Sequence, residues 1–171
     1  ARVVEIIEHA DDLRSFLLQP ERPLPPFRPV QFLHLAIDPW TPTSHWPESR
    51  VFSIASSPFE RERLRVTVSR KGAFTARMFE ELAVDARVWL KLPYGTFCPT
   101  PGDVGKTVLL AGGSGITPFV SVLEWAAVKS PGARIDLHYG ARRPSLLVYR
   151  EAVERHQAAG LGGLRLHLYA E

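Results

Sequence analysis

Over the first hundred residues, apolar side chains recur at every second position in short runs. "QFLHLAI" at 31–37 and "RLRVTVSR" at 63–70 alternate apolar with polar residues, the period of a strand buried on one face. "RVVEII" at 2–7, "RVFSIAS" at 50–56 and "RVWLKL" at 87–92 are β-rich in the same way, and "TARMFEELA" at 75–83 reads as one helix among them. Prolines punctuate these runs, in "QPERPLPPFRP" and "DPWTPTSHWPES", where they mark loops because proline fits neither a central strand nor a helix interior. Short strands with Pro/Gly-rich turns predict an antiparallel β-barrel over residues 1–100.

After "PTPGDVGK" the pattern changes. "TVLLAGG" is a continuous apolar run, as expected of a strand buried on both faces of a parallel sheet, and "PFVSVLEWAAVK" follows as a helix. A second strand is predicted at 133–140, a second helix at 144–160 closed by Gly160, and a third strand at 164–170. Alternating strand and helix is the doubly wound α/β pattern, here over 106–171, with the domain boundary near 99–106.

Composition narrows the function. Of 171 residues 45% are hydrophobic, enough to fill one large core or two small ones. The net charge of +3 suits small anions, but no Lys/Arg run points to nucleic acid or to a membrane surface. No apolar run is long enough to insert in a bilayer. A single cysteine, Cys98, excludes an internal disulfide and, by itself, a zinc or iron–sulfur centre, so a cytoplasmic compartment is expected. The six histidines form no ligand-spaced set, and no metal site is expected.

Two stretches carry candidate chemistry. In "GGSGITP", Gly112, Gly113 and Gly115 follow a strand, where their bare backbone lets a ligand approach; Thr117 is expected to cap the next helix and Pro118 to be its first residue. A tight structural turn explains those glycines equally well. The dinucleotide fingerprint fails here because Pro118 stands at its third glycine, and a P-loop fails because Thr100 stands at its first. In "RVFS", Arg50 and Phe52 share one face of a strand, with Ser53 next: a guanidinium suited to phosphate beside a ring suited to stacking. "KGAFT" then offers a glycine turn into a helix, with Thr75 expected as the cap. Taken singly, Arg50 reads as a surface charge and Phe52 as a core residue.

"R-V-F-S", "G-A-F-T", "GGSGITP" and "YGARRPSLLVY", in that order over about 28–170, resemble the ferredoxin-NADP reductase family in its bacterial flavin reductase form. The resemblance implies a flavin-binding barrel followed by a nicotinamide-nucleotide domain, with hydride transfer from NAD(P)H to flavin at their junction. It implies that Arg50 meets a flavin phosphate, Phe52 the isoalloxazine face and Ser53 the flavin N5. Val66 and Val68, within 66–69, would line the flavin, and Gly72, Ala73, Phe74 and Thr75 would hold its pyrophosphate through backbone N–H groups. Gly112, Gly113, Ser114, Gly115, Ile116, Thr117 and Pro118 would seat the nicotinamide nucleotide, with Ser53 and Thr117 nearest the chemistry. Arg142 and Arg143 would meet the adenosine ribose or its 2′-phosphate, and Tyr149 would stack nearby.

FAD is favoured over FMN by the resemblance, and the arginine pair leans toward NADPH over NADH. The electron acceptor, a separate protein or a small molecule, is not named by the sequence. Two residues depart from the family: Phe52 replaces a tyrosine and Val30 replaces the glycine of "P-G-Q-F". The chain opens on Ala1 and ends at Glu171, before the family's remaining strands and Cys-Gly-Pro motif, so it is expected to be truncated at its C-terminus, with an open sheet edge beside the first parallel strand. A flavin-binding module that no longer oxidises a nucleotide is the alternative reading.

Overall fold

A computed structural model describes residues 1–100, 106–158, 161 and 163–171. The N-terminal part is built from β1 (Arg2–Ala10), β2 (Leu13–Gln19), β3 (Phe32–Ala36), β4 (Ser49–Ser53), β5 (Leu64–Ser69), α1 (Ala73–Glu81) and β6 (Trp89–Tyr94). The strands form two antiparallel sheets, ordered β1-β2-β5 and β4-β3-β6. Backbone hydrogen bonds join the sheets at both margins. Val3 and Val88 donate to Ala86 and Ala1 on one side, and Ala55 donates to Arg65 on the other, each at 2.9 Å. The predicted barrel is therefore present.

β2 is absent from the sequence reading for a physical reason. Phe16 and Leu18 are buried in the barrel, and Leu17 on the opposite face is buried too, so "LRSFLLQ" shows no alternation. Helix α1 starts two residues earlier than predicted and closes the barrel with Phe74, Met78 and Phe79.

The second part contains β7 (Lys106–Gly112), α2 (Thr117–Lys129), β8 (Arg134–Ala141), α3 (Arg150–Ala158) and β9 (Gly163–Ala170). Its strands are parallel, in the order β7-β8-β9. Ile135, Leu137 and Tyr139 of β8 pack with Val120 and Leu123 of α2 and Val153 of α3 in a second core. On the other face lie Val108 and Leu110 of β7, 61% and 71% exposed. β7 is an edge strand among the described residues, as expected.

The predicted helix over 144–160 is broken. A 3-10 turn at Pro144–Leu146 precedes α3, and Leu147 between them has ψ 59°. Tyr139 holds the turn by donating its hydroxyl to the Leu146 carbonyl at 3.2 Å. Burial pushes that phenol up to about 12, so it stays a donor. Residues 101–105 of the predicted domain boundary, and Gly160, lie outside the described residues.

Val30 occupies the left-handed region at φ 71°, after Pro29 in a turn where Gln31 N–H bonds the Arg28 carbonyl at 3.2 Å. That is the turn position where glycine is favoured, and a β-branched side chain there is strained by roughly 1–2 kcal/mol. Val30→Gly relieves the strain while giving up side-chain contacts and chain stiffness, so its urea midpoint should stay level or rise slightly. The same change at the buried Val68 should cost roughly 3 kcal/mol. A large loss in Val30→Gly would show that the side chain's contacts outweigh the strain.

Candidate functional site

Strand β4 pairs with β3, Arg50 opposite Leu35 and Phe52 opposite Leu33, so the two side chains share a face as the alternation predicts. The Arg50 guanidinium lies 5.3 Å from the ring of Phe74 in the first turn of α1. It is half exposed and also meets Glu48 Oε1 at 2.6 Å. Phe52 and Ser53 are partly buried beside it. The structure thus joins two sequence motifs, "RVFS" and "GAFT".

The start of α1 is open. Gly72 is its N-cap, and a Cβ built there meets nothing within 4 Å. Thr75 is the third helical residue and not the cap: its hydroxyl oxygen accepts from the N–H groups of Lys71 and Gly72 at 2.9 and 3.1 Å. The N–H groups at the start of an α-helix have no intrahelical acceptor, so Ala73, Phe74 and Thr75 present a positive end that Arg50 reinforces. Phe74 is buried, so it offers backbone only. This donor set fits a phosphate or pyrophosphate.

Val66 and Val68 do not line a ligand surface with their side chains. Both are buried in the barrel core, because on β5 they alternate with Thr67 and Ser69, which face the α/β half. The two valines can therefore offer only their backbone to the junction, where Thr67 and Ser69 present their hydroxyls.

Across the junction, β7 ends at Gly112, and Gly113 at φ 51° turns the chain into a 3-10 segment through Ser114, Gly115 and Ile116. Thr117 is the first residue of α2 and does not cap it; the cap position falls to Ile116, and Pro118 is second. The Thr117 hydroxyl instead donates to the Ser114 carbonyl at 3.0 Å, bracing the glycine turn. Ile116 is fully buried, so only its backbone borders the turn's surface. Ser69 of β5 donates to Ser114 at 3.1 Å, which sets the barrel wall against the glycine turn.

A cleft of about 510 Å³ opens beside this contact, lined by Gly112, Gly113, Ser114 and Arg142 from the α/β half and by Ser69 and Lys71 from the barrel. Arg142 and Arg143 are both exposed, but only Arg142 lines the cleft. Tyr149 offers no ring face to a base. It is buried, and its hydroxyl lies 2.6 Å from Thr67 Oγ1. Among the described residues no His, Cys, Asp or Glu group would hold a metal ion. No helix among them is long and apolar enough to cross a membrane.

Thr67 and Tyr149 belong to a chain that sequence reasoning misses. From Thr67 Oγ1 it runs to Ser15 Oγ at 2.7 Å and on to His9 Nε2 at 2.8 Å. The one available signal was the polar Thr67 in the well-patterned strand "RVTVS". Tyr149→Phe should cost about 1–2 kcal/mol in denaturant unfolding, because a buried hydroxyl loses its partner. Adding Thr67→Val should cost less than the sum of the two single changes if the pair is coupled. Burial, reinforced by the charge of Arg65, holds the His9 imidazole below its usual 6.5. The folded chain then binds fewer protons than the unfolded one, so this contribution to stability is full above pH 6.5 and falls as pH drops below it. His9→Gln should flatten that slope; an unchanged slope would assign it to another group.

The oxidoreductase NAD-binding domain model matches residues 109–170. The flavohemoprotein of Rhodopirellula baltica is 30% identical over 168 residues, 92% of this chain and 41% of that protein. The glycine betaine monooxygenase reductase subunit of Pseudomonas aeruginosa is 27% identical over 173 residues, 99% of this chain and 46% of that protein. The chain thus spans less than half the length of these curated relatives. Among solved structures, an Amycolatopsis cytochrome P450 reductase superposes with TM-score 0.84 at 28% identity, covering 99% of this chain and 51% of that one. The FAD/NAD-binding domain of a Vibrio cholerae nitric oxide dioxygenase shares the fold, with TM-score 0.84 at 20% identity over 99% of this chain and 73% of that one. The domain match and the superposition over nearly the whole chain agree with the resemblance to the ferredoxin reductase-type fold, a barrel followed by a parallel sheet.

Proposed function

We propose that this chain is the flavin- and nucleotide-handling part of an NAD(P)H oxidoreductase that passes electrons to a separate acceptor. The observation that carries the reading is the Ser69–Ser114 contact, since it brings the barrel wall beside the phosphate seat against the glycine turn. Arg50 and the first turn of α1 would hold the flavin phosphates, with Phe52 offering a ring face and Ser53 a hydroxyl at the end of the same strand. Gly112, Gly113 and Gly115 would admit the nucleotide to the backbone. The Thr117 hydroxyl proton is committed to Ser114, which leaves its oxygen to accept a hydrogen bond from a carboxamide. Lys71 and Arg142 would meet the nucleotide's phosphates in the cleft. A flavin held there would supply the hydride-accepting chemistry, and the protein's part would be position and charge.

In this reading the flavin is FAD rather than FMN, NADPH is preferred through Arg142, and the location is cytoplasmic. The names of the curated relatives support an oxygenase or haem partner as acceptor. Purified protein loaded with FAD should show flavin absorption that bleaches anaerobically with NADPH, and less readily with NADH. Arg50→Ala should weaken FAD binding by about 1.5–3 kcal/mol, the worth of a charge-assisted hydrogen bond. Protein that takes up no flavin overturns the reading. Flavin that binds but never bleaches with either nucleotide moves it to a binding module.

A further inference from the structure

A second cleft lies at the other end of β5 and shares no residue with the first. Its volume is about 380 Å³, and both halves of the molecule wall it: Ser56, Ser57, Arg63 and Arg65 from the barrel, Glu124 and Arg155 from α2 and α3. With Glu60 also at its margin, three guanidinium groups face two carboxylates.

Both carboxylates are already engaged. Glu124 Oε1 meets His156 Nε2 at 3.3 Å, and Glu60 Oε1 accepts the N–H of Glu62 at 2.8 Å. The Glu124 carboxyl is held below its usual range chiefly by His156 and more weakly by Arg65 and Arg155, which places both cations within electrostatic reach of one point. The cations are less well satisfied. Arg65 Nε is buried and has no hydrogen-bond partner among the described residues. Among the described residues Arg155 has a loose 4.0 Å approach to Glu151 as its ion pair. Arg63 and Arg155 are exposed at the cleft, so their guanidinium groups can turn toward an entering anion, to which the partly buried Arg65 adds its charge.

The serines add neutral donors. Ser56 Oγ accepts the backbone N–H of Arg65 at 2.5 Å and Ser57 Oγ accepts the backbone N–H of Phe59 at 3.3 Å, so each hydroxyl keeps its proton to donate.

We propose that this cleft is a second anion site, taking a phosphate group between Arg63 and Arg65 of the barrel and Arg155 of α3. It is separate from the phosphate seat at Arg50. Because its donors come from both halves, an anion held there fixes the barrel against the α/β sheet.

Inorganic phosphate is the probe, titrated calorimetrically into FAD-loaded protein at constant ionic strength with chloride as the control, and in parallel into Arg50→Ala. Saturable binding is expected in both proteins. The Arg50→Ala arm keeps the test independent of flavin binding, since it stands even if the flavin reading fails. Arg63→Glu and Arg155→Glu change exposed side chains and should fold; each should weaken phosphate at least tenfold, and the urea midpoint of the parent protein alone should rise with phosphate. Absence of saturable binding, equal binding by the parent and both charge-reversed variants, or loss of all binding with Arg50→Ala would each overturn the proposal.

Discussion

The hydroxyl of Thr67 is where the two halves of the molecule are joined. It sits within 2.7 Å of Ser15 on one side and 2.6 Å of Tyr149 on the other, all three residues buried. Buried hydroxyls require partners; Ser15 and Thr67 find each other within the barrel, but the Tyr149 hydroxyl meets Thr67 only when the α/β half is seated on the β5 wall. Strand β5 is therefore a shared element: Val66 and Val68 fill the barrel while Thr67 and Ser69 serve the junction. The two-residue period of a strand does this without an inserted linker or bulge. Shifting β5 by one residue would turn valines into the junction and hydroxyls into the barrel core, losing both cores at once.

The candidate site inherits its geometry from that arrangement. Two residues beyond Thr67, Ser69 meets Ser114, and three residues further on Gly72 opens the first turn of α1. The phosphate seat and the glycine turn are thus separated by a short, hydrogen-bonded stretch of one strand. Neither presents a paired acid and base. Both are made of backbone N–H groups, with Arg50 and Lys71 as the nearby cations, which suits a reaction in which placement decides the rate.

Much of this was legible in the sequence, and the omissions share a cause. Alternation is visible wherever one face of a strand is wet or polar, as in "RLRVTVSR", and β5 was found on that basis. It vanishes where both faces are buried, which is why β2 escaped notice: Leu17 is covered as well as Phe16 and Leu18. The break in the predicted helix over 144–160 has the same origin, since Leu147 and Tyr149 are both buried and Tyr149 reaches the barrel. Local signals also misassigned Thr75 and Thr117. Each is a good cap by type, yet one reaches back from the third helical position and the other braces the turn before its helix. A threonine near a helix start satisfies whichever backbone group lies nearest, and only the fold decides which that is.

The same strand explains why the two clefts belong to one system. One opens beside Ser69 and Lys71, the other beside Leu64 and Arg65, and each is walled by both halves of the molecule. A ligand bridging either cleft favours the seated arrangement over any opened one, and the seated arrangement is the form in which the other cleft is complete. By linkage, two ligands that favour the same state raise each other's affinity, and each does so by the same factor. The size of that coupling is bounded by how strongly the buried hydroxyls already hold the junction. If Thr67 and Tyr149 keep it closed nearly all the time, little remains for a second ligand to shift. Coupling between the clefts should therefore be small in the intact chain and larger when the Tyr149 hydroxyl is removed.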